Sequence, residues 1–164
     1  MMRKQIGTKA MYACSLGMFV LLTAQGVLAG SEQFIEKRSD GVTIVNLTQT
    51  PCLFLESEEN PQAYTSRKKK DCEEINRKTA AQRTFKTLNL KPGKFIFRVT
   101  NKNVSYELGF WLRGQGVGRL TLPSVSGGGL TVGKTQDYRV TLVKGEYYYS
   151  CPLNPTPNYP LIVE

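Results

Sequence analysis

The chain has 164 residues, with 22 Lys and Arg against 13 Asp and Glu, a net charge of +9, and no histidine at all. Without imidazole the chain lacks the usual agent of general acid–base catalysis at neutral pH, and no nucleophile–base pair is visible, so the sequence does not read as an enzyme. The basic residues are scattered and accompany no nucleic-acid-binding motif, which leaves that class without support.

Residues 1–29 read as a secretory signal peptide. Arg3, Lys4 and Lys9 form a basic start, Met11 to Thr23 an apolar core, and Val27 and Ala29 place small residues three and one before a cleavage point. That apolar core is short for a bilayer span, and no later segment is apolar enough, so the mature chain is expected to carry no transmembrane segment. Loss of residues 1–29 removes three basic residues and no acidic ones, leaving 19 against 13 and a net charge of +6. A periplasmic or secreted location follows, and with it an oxidising compartment in which disulfides persist. The mature chain keeps Cys52, Cys72 and Cys151, an odd number, so at least one thiol stays free, binds something or pairs outside the chain.

Residues 30–41 read as a polar lead-in. "GVTIVNL" (41–47) is β-branched and predicts a strand. Residues 56–83 form a polar, charged interval. Within it Asp71, followed three residues later by Glu74, fits an N-cap with its capping box, and predicts a short helix from about Cys72 to Gln82. Glu56, Glu58 and Glu59 make an acidic knot and Arg67 to Lys70 a basic one, both read as solvated loop surface.

From Phe85 onward the pattern is all-β. Phe95, Phe97 and Val99 alternate onto one face, as do Tyr106, Leu108, Phe110 and Leu112. "SVSGGGLTVGK" reads as a glycine-rich link. Its "GGG" lacks the Lys-Ser/Thr ending and following helix of a phosphate loop. Tyr138, Val140 and Leu142 share a face, then Tyr147, Tyr149 and Cys151, and "YPLIV" closes the chain. Strands at roughly ten-residue intervals with turn signals between them predict an all-β, Greek-key β-sandwich with one short helix.

"KPGKFIFRVTNKN", "SYELGF", "GKTQDYRVTLVKGEYYYSC" and the closing "YPLIV", in that order, carry a resemblance. From about Val42 to Glu164 the chain resembles the cupredoxins, especially the EfeO-type cupredoxin-like domains of periplasmic proteins, with residues 56–83 as an insertion. A type 1 copper site needs two imidazoles, a thiolate and usually an axial thioether. By position, the cysteine falls on Cys151, while the two histidines become Tyr106 and Asn154 and the axial methionine becomes Tyr159. Only the thiolate survives, so no blue-copper electron carrier is expected.

The EfeO-type resemblance implies a second matching cysteine at Cys52 and a link to periplasmic copper or iron handling. Two thiolates, Cys52 and Cys151, with Glu107 or Glu56, would make a soft-cation site. The competing reading makes Cys151 a buried core thiol. The pairing of cysteines stays open at this point. Cys52–Cys72 would staple a short, charged helix that is marginal alone; Cys52–Cys151 follows the resemblance; a reduced metal-binding set is the third. The function expected is an exported binding module that handles copper or iron, or docks to a periplasmic or membrane protein that does. The alternatives are a metal-free structural or interaction sandwich and a thiol redox module.

Overall fold

The computed structural model describes residues 34–164; the signal-peptide reading of residues 1–29 lies outside the described residues. Ten strands form two five-stranded sheets, as the alternating runs predict. In the first sheet, β1 (Ile35–Lys37), β2 (Val42–Thr50), β5 (Gly93–Asn101) and β8 (Thr135–Leu142) lie side by side, and β3 (Leu53–Phe54) pairs with β2. The second runs β4 (Leu88–Leu90), β10 (Tyr159–Val163), β9 (Gly145–Ser150), β6 (Leu108–Gly114) and β7 (Val125–Leu130). Two pairings are parallel, β2 with β5 and β4 with β10; the rest are antiparallel.

The core is the space between the sheets, and the period-2 pattern fills it. Phe97, Val99, Leu108, Phe110, Leu112, Tyr147, Tyr149, Leu161 and Val163 all point inward and are buried. Phe54 stands edge-on to Phe110, Tyr149 and Tyr159, with ring centroids 6.2, 5.7 and 5.8 Å away. Phe97 stacks on Phe110 at 5.3 Å. Each such ring contributes about 1.5–3 kcal/mol by leaving water, and the edge-on contacts fix how the rings sit.

Four local readings change. The lead-in is not loose throughout: β1 pairs antiparallel with β2, Ile35 opposite Val45. The glycine-rich link is in fact edge strand β7, whose register with β6 shifts between Leu108 and Phe110. Gly109 permits this, since a Cβ there would fall 2.4 Å from the Gly127 carbonyl oxygen. The helix, α1, spans Lys69–Thr79 and continues as a 3-10 turn over Ala80–Gln82, so it starts three residues earlier than the capping pattern predicts. Asp71 is its third residue rather than its cap. From there its carboxylate reaches back to accept the Arg67 and Lys68 N–H groups at 2.8 and 3.2 Å. Those bonds, the first above all, hold the Asp71 carboxyl below its ordinary range. Finally, Glu58 leaves the acidic knot and is buried. Among the described residues no helix is long and apolar enough to cross a membrane.

Candidate functional site

One end of the sandwich gathers the β2–β3 turn, the start of α1, the approach to β6 and the proline-rich loop between β9 and β10. Asn154 is at its centre, fully buried. Its Nδ2 donates to the Thr50 carbonyl at 2.9 Å, and its Oδ1 accepts from the Cys52 N–H and the Tyr106 hydroxyl, both at 3.0 Å. The Cys72 sulfur lies 3.1 Å from the same oxygen. Cys72 is joined to Cys52 in a disulfide that spans 20 residues of sequence, so this sulfur carries no proton and the contact is not a hydrogen bond. Tyr106 also takes part in a bond with Ser66 at 2.9 Å, and burial pushes its hydroxyl above its usual pKa.

Among the described residues Cys151 is the free cysteine, buried beneath this layer. Its sulfur accepts the N–H groups of Gly109 and Asn154 at 3.3 and 3.2 Å. Desolvation nonetheless wins and raises the thiol pKa, so the group stays neutral and unreactive. Gln49, also fully buried, donates through Nε2 to the Gly109 carbonyl at 2.7 Å. Its Oε1 is left without a hydrogen-bond partner. A protonated Cys151 has the S–H that such an acceptor needs.

Tyr159 belongs to a second, neighbouring cluster. Its hydroxyl donates to Glu58 at 2.6 Å and accepts from the Phe54 N–H at 3.3 Å. Arg83 closes on Glu58 in an ion pair with both side chains almost wholly buried, and also donates to Asn76 of α1. Burial, followed by the carboxylate at its hydroxyl, drives the Tyr159 pKa upward. Glu58 and Arg83 stand at the two ends of the insertion, and between them they bolt it to the core. Charge marked Glu58 as solvated surface, and its separation of 25 positions from Arg83 gave no local signal that they pair.

The members of the sequence-predicted metal set are each engaged with other partners, Cys151 with the Gly109 and Asn154 N–H groups. Cys52 is spent in the bond to Cys72 and offers no thiolate in this state. Glu107 is exposed and its carboxylate accepts the Gly129 N–H at 2.7 Å. Glu56 accepts the Thr48 N–H at 2.8 Å. Among the described residues no three Cys, Asp or Glu side chains gather closely enough to hold a metal ion. The three positions that the resemblance matches to copper ligands divide in turn: Tyr106 and Asn154 bond to each other over Cys151, while Tyr159 turns to Glu58. The chain matches no family model and no curated protein.

Proposed function

We propose that this is an exported, cupredoxin-like binding module whose ligand-bearing end has become a clamp, and which works by contact with a partner rather than by carrying metal or electrons there. The observation that carries the reading is Asn154. It is fully buried at a position the resemblance gives to a copper ligand, and both ends of its amide are spent on Thr50, Cys52 and Tyr106. A donor set of that kind holds backbone and loops together, and a soft cation would have to break several buried or part-buried hydrogen bonds to enter. Any connection with copper or iron then runs through the partner.

The test is metal loading of the oxidised, correctly exported protein. After incubation with copper(II) or iron(III) and desalting, the chain is expected to retain far less than stoichiometric metal and to show no intense thiolate-to-copper absorption. Stoichiometric retention that Cys151→Ser abolishes would return the function to a metal carrier.

A further inference from the structure

The turn between β6 and β7 presents its apolar side chains to solvent, on a rigid frame. A Cβ on Gly114 would lie 2.3 Å from the Gly118 carbonyl oxygen, so backbone meets backbone at a spacing only glycine permits. Leu122 tucks over Gly118 and Gly145, and its N–H bonds to the Gly118 carbonyl at 2.8 Å. Gln115 adds two bonds to β9, through its N–H to Glu146 and its side chain to Tyr147. On this frame the 3-10 turn Gly116–Leu120 displays Val117 and Leu120, which are 89% and 91% exposed. In a 3-10 helix, residues three apart eclipse each other, so the two side chains project from one edge.

Beside those tips sits a cationic and aromatic band. The Arg113 guanidinium lies 3.9 Å from the Trp111 ring centre and that of Arg119 lies 5.0 Å from it. Arg113 is pinned by Ser150 and Asn158 at 3.0 and 2.6 Å. Among the described residues, neither arginine has a carboxylate within ion-pairing distance; the ion pairs of the chain engage other arginines and lysines. Glu146, exposed on the adjoining strand, pairs with neither. Two like charges are therefore held over one indole with nothing of opposite sign between them. Tyr148, half-buried, lies opposite Arg113 on β9.

We propose that this turn docks the protein on an anionic membrane surface, with Val117 and Leu120 entering the acyl boundary and Arg113 and Arg119 facing lipid phosphates. Exposed aliphatic tips beside cations and the aromatic rings of Trp111 and Tyr148 are the side-chain classes that a bilayer interface takes up. The chain's own positive charge favours the same surface. A folded acidic protein fits less well. Stable protein interfaces bury about 800 Å² per partner around anchors seated in pockets, whereas two convex tips on a turn suit a fluid apolar medium. The inference is independent of whether the Asn154 end binds metal.

The experiment uses the mature, oxidised chain with vesicles of phosphatidylcholine alone or mixed with phosphatidylglycerol. Trp111 is the only tryptophan, so its emission reports docking directly. Expected are co-flotation with the mixed vesicles only, a blue shift of Trp111, and loss of both on raising salt. V117S/L120S should bind at least about tenfold more weakly by the loss of buried apolar surface, and Arg119→Gln about fivefold more weakly. All these side chains are exposed, and unchanged thermal melts would confirm that the variants fold. Failure of the wild-type chain to float with anionic vesicles at low salt, or equal binding by V117S/L120S, overturns the proposal. Binding of an acidic peptide such as polyglutamate, through the same residues and without vesicle binding, overturns it in favour of an acidic protein partner.

Discussion

Asn154 shows how one buried side chain can hold several segments together. Its amide supplies a donor and a two-lone-pair acceptor, and the fold uses both, on Thr50, Cys52 and Tyr106. Asn154→Ala would take a partner from the part-buried Thr50 carbonyl and from the buried Cys52 N–H, the second at about 1–3 kcal/mol. The expected loss is about 2–4 kcal/mol in total, read as a lower urea midpoint with an unchanged slope. A loss under about 0.5 kcal/mol, the range of an ordinary surface change, would mean that water fills the gap and that Asn154 is not the keystone described.

Among the elements, α1 depends most on what it is tied to. Its eleven residues bury Cys72 alone, and a helix of that length is marginal by itself. The disulfide fastens it to the β2–β3 turn, and the Asn76 amide fastens it to Pro155 of the proline loop. Cys52 itself takes a left-handed φ of +69°, a conformation unfavourable for any residue but glycine, held by the disulfide and the bond to Asn154. In the chain-entropy model, closing a loop of 20 residues is worth about 3 kcal/mol. C52A/C72A is therefore expected to lose about that much stability, and amide protection over residues 69–79 should fall further than that of β5 or β6. Equal loss in all three would make the helix part of the core's cooperative unit instead.

At the scale of the whole molecule, the sandwich was legible because its inner faces repeat with period 2. Phe95, Phe97 and Val99 announce β5, and Tyr147 and Tyr149 announce β9, whatever lies opposite them. The link that became β7 was illegible because glycines carry no alternation; its pairing to β6 depends on the close approach at Gly109, which is a tertiary fact. The site was legible by halves. The Cys52–Cys72 bond is one of the three cysteine arrangements the sequence left open, the one favoured by the helix's need of a staple, and the grouping of Tyr106, Asn154 and Cys151 was implied by the resemblance alone. Glu58 was not legible, because a carboxylate among carboxylates reads as solvated, and only burial with Arg83 and Tyr159 makes it otherwise.

The buried hydroxyls and thiol also set the pH range over which this fold persists. Burial raises the pKa values of Cys151, Tyr149 and Tyr159, and pushes Tyr138 up to about 12. The native state thus keeps protons that the unfolded chain gives up above its ordinary values of 9.0 for Cys and 10.0 for Tyr. Their stabilising contribution is complete below about pH 9 and is lost as the pH climbs through the native values, by up to about 1.4 kcal/mol per group per pH unit. On the acid side Asp137, held low chiefly by its bond with Arg98, contributes above its ordinary 3.8 and loses that as the pH falls. With no histidine in the chain, stability should be nearly level from about pH 5 to 8. Above about pH 10 the losses from these groups add, and they draw on a domain stability that is itself only about 5–15 kcal/mol. Spectrophotometric titration is expected to show these buried tyrosines ionising in one cooperative step, together with loss of the β-sheet dichroism. Ionisation of all the tyrosines centred near pH 10 in a chain that keeps its dichroism would contradict it.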